Sequence, residues 1–258
     1  MAGNKIIGVD LGGTYLRAGI VEGSKISNYI KIRTPMNKKD LLKALVDSIS
    51  DLMDKDVKGI GVAAPGPLKD GIIKNTPNIP LKNFNLKGFL KKKFKKRVEV
   101  ENDANCVALA EARLGVKKKN FIIFTLGTGI GGGIIINGEM YVGKSMAGEF
   151  GDMILDSEKN LEDLWKEKKI EIKDLFDKND MEKLEKVSKF LGQGISSMIS
   201  VFDPEIVVLA GGVKETGDKF LRIIRKHVKK YNIMPKMPPI VWSKLNHPGI
   251  LGASLLIK

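Results

Sequence analysis

Apolar residues enter this chain as three short runs, Lys5 to Val9, Tyr15 to Val21 and Ile26 to Arg33, separated by glycine-containing or polar breaks. Runs of that length bounded by turn residues predict strands joined by tight turns. From Lys38 to Met53 the period changes, and Leu41, Leu45, Ile49 and Leu52 recur at helical spacing. Val57 to Ala63 is an unbroken apolar run that predicts a buried strand ending in the turn APGP. Val98 to Glu101 predicts another strand, entering a helix over Asp103 to Leu114. The pattern then restarts: Phe121 to Leu126, Gly131 to Ile136 and Glu139 to Val142 predict a second meander, followed by helical stretches and the strand Ile206 to Leu209. A repeated meander with alternating helices and strands predicts two α/β domains. The expected boundary lies in the helix starting at Asp103, giving domains 1–105 and 106–247, with the last segment, about 248–258, packing back on the first.

At 258 residues and 43% hydrophobic content the chain can fill two cores. A single cysteine, Cys106, excludes an intramolecular disulfide and a Cys-rich zinc site, fits a reducing compartment, and reads as a small buried apolar residue. No uninterrupted apolar run approaches the roughly twenty residues of a membrane span, so a soluble, cytoplasmic protein is expected. The net charge of +14 resides mostly in lysines, at Lys87 to Arg97, Lys117 to Lys119 and Arg222 to Lys230. Few arginines or aromatic rings are interleaved, which argues against sequence-specific nucleic-acid binding; a heat-adapted or AT-rich organism, or attraction of anionic metabolites such as nucleotides, explains such a Lys-rich surface as readily.

Two segments carry more information than the rest: DLGGTYLRAGI at Asp10 to Ile20 and LGTGIGGGIII at Leu126 to Ile136. Each runs from an apolar strand through Gly and Thr into a second strand, the layout of a phosphate-holding hairpin. Glycine lets backbone N–H groups reach an anion with no Cβ in the way, and threonine adds a hydroxyl donor. Asp103 in ENDAN lies where a strand gives way to a helix, a position that suits an N-cap or a general base. Trp165 and the stripe Leu184, Val187, Leu191 and Ile195 read as core. His227 reads as solvated surface and His247 as a residue capping a turn.

DLGGT, the PGP turn, NTPN, ENDAN, LGTGIGGG, GEFG and LAGG, in this order from Lys5 to the C-terminus, resemble the ROK family of sugar kinases. The resemblance implies the two-domain actin/hexokinase (ribonuclease H-like) α/β fold with a cleft between the domains. It implies ATP-dependent phosphorylation of a hexose hydroxyl, first of all the 6-hydroxyl of glucose, with ATP and Mg²⁺ as cofactors. Asp103 matches the general base. Asp10, Gly12, Gly13 and Thr14 match one phosphate loop, with Asp10 reaching Mg²⁺ through phosphate or water. Gly127, Thr128 and Gly129 match the other loop, and Gly211 and Gly212 lie against the adenosine.

Sugar contacts are implied for Gly66, Asn78, Asn102, Asp103, Glu149, Asp152 and Glu162; Asn75 also suits a plain turn, and Pro77 and Pro80 stiffen that loop. The chain departs from the family at GEFGDM, where Asp152 replaces the usual His, and over Met153 to Leu161, which holds no Cys. No zinc site is therefore expected. No winged-helix segment precedes Lys5, which favours a kinase over a repressor. The alternatives are fructose, mannose, N-acetylmannosamine or N-acetylglucosamine as substrate, or a non-catalytic sugar sensor. The expected partners are a sugar and a nucleotide, with a homodimer left open, and neither specific nucleic acid nor a membrane.

Overall fold

The computed structural model describes residues 4–76, 78–166, 172–178 and 180–258, so Pro77 lies outside the described residues. The chain forms two compact units. The first takes the chain up to Gly115 together with Val142–Met146 and Leu245–Lys258; the second takes Val116–Tyr141 and Ala147–Lys244.

In the first unit, strands β1 (Lys5–Leu11), β2 (Tyr15–Glu22) and β3 (Lys25–Arg33) make an antiparallel meander. Helix α1 (Lys38–Leu52) leads to β4 (Val57–Ala64), parallel to β1. Three two-residue strands, β5 (Leu68–Lys69), β6 (Ile72–Ile73) and β7 (Phe84–Asn85), pair with one another before α2 (Leu86–Phe94). Strand β8 (Arg97–Asn102) then runs parallel to β4 and passes directly into α3 (Asp103–Arg113). The sheet order is β3-β2-β1-β4-β8. Local chemistry starts the helices: Asn37 accepts the Asp40 N–H at 2.9 Å to cap α1, and Asn85 accepts the Gly88 N–H at 2.7 Å to cap α2.

Both faces of this sheet are covered. Leu41, Leu45 and Ile49 of α1 and Leu86 and Leu90 of α2 share a core with Val9, Leu16, Ile60, Val62 and Val98. The C-terminal helix, Pro248–Ser254, and α3 cover the other side, with Ile250 and Leu251 against Val21 and Ala110, and Ala253 against Ala63 and Cys106. Glycine is required there because main chain meets main chain. A methyl on Gly8 would collide with the Ile250 carbonyl, one on Gly61 with the Ala253 carbonyl, and one on Gly252 with the Cys106 carbonyl.

The second unit repeats the plan. Strands β9 (Phe121–Leu126), β10 (Ile130–Ile136) and β11 (Glu139–Met140) form the meander. A 3₁₀ turn at Phe150–Asp152, the hairpin β12 (Ile154–Asp156) and β13 (Lys159–Asn160), and helices α4 (Leu161–Lys166), α5 (Ile172–Asp177) and α6 (Met181–Phe202) follow. Strand β14 (Ile206–Ala210), a 3₁₀ turn at Gly212–Thr216, α7 (Gly217–Tyr231) and β15 (Ile240–Trp242) complete it. Its order, β11-β10-β9-β14-β15, matches the first sheet strand for strand. Leu184, Val187, Leu191 and Ile195 of α6 bury their stripe with Phe220 and Ile224 of α7 against Ile122, Phe124 and Val207.

The structure departs from the sequence expectations in four places. Helix α3 belongs wholly to the first unit, beyond the expected boundary at residue 105, because the C-terminal helix packs against it. Strand β15 was not expected, since a three-residue run carries too little periodicity. His227 is not solvated surface: its Nε2 lies 2.6 Å from Glu185 Oε2 and its side chain is 12% exposed. His247 occupies the N-cap position of the C-terminal helix at φ 50° but makes no side-chain cap bond; its ring stacks on Tyr29, centroids 4.5 Å apart. Among the described residues, no helix is long and apolar enough to cross a membrane.

The glycine contacts yield a stability test. Gly252→Ala must displace α3 or the C-terminal helix, and overpacking of this kind costs about 1–3 kcal/mol. Chemical denaturation should show that loss, whereas Gly23→Ala, at a turn with open space around it, should cost less despite its φ of 61°.

Candidate active site

Each meander carries its Gly/Thr hairpin between its first two strands. In the first unit the Gly12 N–H donates to the Tyr15 carbonyl at 3.0 Å, closing the turn and leaving Thr14 exposed at its tip. A side chain on Gly13 would press on Asn78, so the NTPN loop lies directly against this turn. The Thr34 hydroxyl donates to the Gly12 carbonyl at 2.6 Å, and the Thr34 N–H donates to the Thr14 carbonyl at 3.0 Å.

Asp10, at the hairpin's base on β1, pairs across the strands with Arg17, whose guanidinium approaches it at 3.4 Å. Burial pushes the Asp10 carboxyl above its ordinary pKa, and the Arg17 charge and hydrogen bond pull it back. Gly249, at the start of the C-terminal helix, packs onto the Asp10 carboxylate.

Capping of α3 falls to Asn102, not Asp103. The Asn102 Oδ1 accepts the Ala104 and Asn105 N–H groups at 2.9 and 3.2 Å, and its Nδ2 donates to the Gly66 carbonyl at 3.3 Å. Asp103 is the first helical residue, half-buried, with Oδ1 2.8 Å from the Ala104 N–H. Gly66, at φ 87°, sits against the Asn75 carbonyl, so Gly66, Asn75 and Asn102 gather at the end of β8. Behind them Cys106 is fully buried. Burial, then the charges of Glu101, Asp103 and Asp10, push its thiol well above the usual range, so it is an inert packing residue.

In the second unit the Gly127 N–H donates to the Gly129 carbonyl at 3.0 Å, and Gly127 and Thr128 are exposed. Helix α4 backs this turn. The Trp165 Nε1 donates to the Gly127 carbonyl at 3.0 Å, and Glu162 Oε2 accepts the Ile130 N–H at 2.8 Å while its other oxygen pairs with Lys166. Gly211, at φ 99°, lies against the Leu126 carbonyl where no side chain fits, which brings the end of β14 to the same turn; Gly212 is exposed beside it.

Glu149, Asp152 and Glu162 form an acidic group. The Glu149 carboxyl is raised above its usual range first by burial and then by the charges of Asp152 and Glu162. Phe150, between Glu149 and Asp152, packs on Phe124 with centroids 4.7 Å apart. Among the described residues, no group of three or more His, Cys, Asp or Glu side chains is placed to hold a metal ion.

Three residues around these turns did not figure as site candidates in the sequence. Arg17 is recoverable, since extending the hairpin from its turn pairs it with Asp10. Thr34 and Trp165 carry no local signal, because their partners lie across other elements of the fold.

Two α/β units of identical strand order, each with a Gly/Thr hairpin in its meander, define a protein of the actin/hexokinase-like fold. The ROK family model matches residues 6–258, and the chain belongs to the ROK family. It is similar to the glucokinase of Halalkalibacterium halodurans, 29% identical over 98% of this chain and 94% of that protein. The crystal structure of a ROK family glucokinase from Streptomyces griseus in complex with glucose and AMPPNP superposes with a TM-score of 0.88, at 26% identity over 98% of this chain and 99% of that one. The ROK hexokinase of Thermus thermophilus superposes with a TM-score of 0.83, at 28% identity over 98% and 97% of the two chains.

The acidic group predicts a pH dependence. A carboxyl whose pKa is raised by folding holds its proton more tightly in the native state, so its stabilising contribution is present at low pH and is lost as pH rises through the folded value. Glu149→Gln should therefore raise the thermal midpoint relative to wild type at about pH 7 and lose that advantage near about pH 4. An equal shift at both pH values would show that the Glu149 carboxyl does not titrate abnormally.

Proposed function

We propose that this ATP-dependent sugar kinase transfers the γ-phosphoryl group of ATP to the 6-hydroxyl of glucose, with Asp103 as general base. The observation that carries the assignment is the division of labour at α3: Asn102 caps the helix, so the Asp103 carboxylate is held at the first turn without being needed to start it. Resemblance to glucokinases, one of them complexed with glucose and AMPPNP, supports the substrate pair.

In this reading the side-chain amide of the exposed Asn78, the remaining N–H of Asn102 and the backbone at Gly66 bind sugar hydroxyls. Glu149, Asp152 and Glu162 accept hydrogen bonds from others. Asp103 takes the proton of the attacking hydroxyl as the new O–P bond forms and the bond to the β-phosphate oxygen breaks, releasing ADP. Gly12, Gly127 and Gly129 shape the two turns, the amide N–H groups of Gly13 and Thr128 and the hydroxyls of Thr14 and Thr128 engage the phosphates, and Gly211 and Gly212 flank the adenosine.

Asp10 fits a Mg²⁺ ligand acting through phosphate or water. Burial disfavours its charged form and Arg17 at 3.4 Å offsets this only in part, so a cation beside the carboxylate would complete the compensation. Bound there, Mg²⁺ supplies charge compensation for the phosphates. Asp152 gives an acceptor where relatives carry a His, so a sugar group that requires a donor is not served at this position.

Because Asn102 rather than Asp103 is the cap, Asp103→Asn should leave thermal stability and sugar affinity close to wild type while kcat falls by about 10²–10⁴-fold. ATP consumption with glucose, mannose, fructose, N-acetylmannosamine and N-acetylglucosamine measures this. A kcat within about threefold of wild type removes Asp103 from the role of base, and silence of the wild type on every sugar identifies a non-catalytic sensor. On the accepted sugar, Asp152→His should change KM or sugar preference more than kcat; identical constants for every sugar would place Asp152 outside the pocket.

A further inference from the structure

Both hairpins are tied from behind through their carbonyl groups. A trans peptide points its C=O and the following N–H in opposite directions, so a bond that fixes one fixes the other. The Thr34 hydroxyl holds the Gly12 carbonyl at 2.6 Å, which turns the Gly13 N–H away from Thr34; the Thr34 N–H holds the Thr14 carbonyl at 3.0 Å. The Trp165 Nε1 holds the Gly127 carbonyl at 3.0 Å, which turns the Thr128 N–H away from Trp165. The anchors themselves are rigid: Thr34 is 7% exposed, and Trp165 is 8% exposed within the core of the second unit. The groups they orient include the exposed tips Thr14, Gly127 and Thr128.

An anion cradle works when amides, not carbonyl lone pairs, face the ligand. A glycine-flanked peptide flips easily, because glycine tolerates both signs of φ, and a flip would present an oxygen to the phosphates. Holding each carbonyl from the protein side removes that alternative before a ligand arrives, the preorganisation on which charge stabilisation depends.

We propose that Thr34 and Trp165 are positioning residues of the phosphoryl-donor site, one for each hairpin, which orient backbone amides by binding the carbonyls of Gly12, Thr14 and Gly127. The proposal rests on the reading of these turns as phosphate loops. Both side chains act through the hairpin backbone.

The test measures binding of Mg-AMPPNP and of glucose separately by calorimetry in wild type, Thr34→Val, Thr34→Ser and Trp165→Phe. Thr34→Val removes one donor at nearly constant shape and Trp165→Phe removes one donor together with part of the ring, and each should weaken Mg-AMPPNP about tenfold while glucose affinity stays within about twofold. Thr34→Ser keeps the hydroxyl and should bind Mg-AMPPNP like wild type. In turnover, KM for ATP should rise more than kcat falls. Thr34→Val and Trp165→Phe binding Mg-AMPPNP as wild type does would overturn the proposal, and so would a parallel loss of glucose and nucleotide affinity, which marks a merely structural role. If Trp165→Phe does not fold, the comparison of Thr34→Val with Thr34→Ser decides alone. A wild type that binds Mg-AMPPNP but phosphorylates no sugar defeats the proposed activity and leaves this inference standing; a wild type that does not bind Mg-AMPPNP defeats both.

Discussion

The first unit depends on three close main-chain approaches: the C-terminal helix lies against β1, β4 and α3 at Gly8, Gly61 and Gly252 with no side chain between. Dispersion falls off steeply with distance, so such an approach gains packing that larger residues would forfeit. It also places the chemistry. The start of the same helix sets Gly249 on the Asp10 carboxylate, and its middle fixes α3 through the Cys106 carbonyl, three residues beyond Asp103. Two carboxylates assigned different tasks in phosphoryl transfer thus take their positions from one seven-residue helix.

In the second unit the segment between the Phe150 turn and α4 is short, consisting of the paired strands β12 and β13. Rigidity there comes from side-chain packing and hydrogen bonds. Phe150 packs on Phe124, Gly132 gives it room, and Glu162 joins the acidic group to the Gly129–Ile130 backbone. Glu162 therefore couples the residues assigned to sugar with the turn assigned to phosphate, so a substitution there disturbs both.

The sequence made legible what local chemistry decides. The meanders follow from short apolar runs, the hairpins from glycine and threonine between strands, and α1, α3 and α6 from helical spacing. That the final segment lands on Gly8 and Gly61 is seen only in the fold, because nothing local marks those two glycines as receiving a helix. Long-range partners were hidden. Asn102 and Asp103 are adjacent and both are good capping residues, so choosing between them needs the dihedral angles, which leave Asn102 extended and Asp103 helical. Thr34 and Trp165 are ordinary residues until the fold carries each beside a carbonyl of a hairpin. Glu149 enters the sequence reading only through the family resemblance, because neither its burial nor its like-charged neighbours can be seen along the chain.

The first unit is assembled from segments on both sides of the second, and that imposes an order on biosynthesis. Strands β1 and β4 leave the ribosome early, yet the helix that covers their glycine face is made after the whole of the second unit. Until then Gly8, Gly61 and the apolar side of α3 face solvent, an open sheet surface of the sort that chaperones recognise. The second unit, nearly contiguous in sequence, can close while the first waits, so vectorial synthesis favours completion of the later-made half before the earlier one.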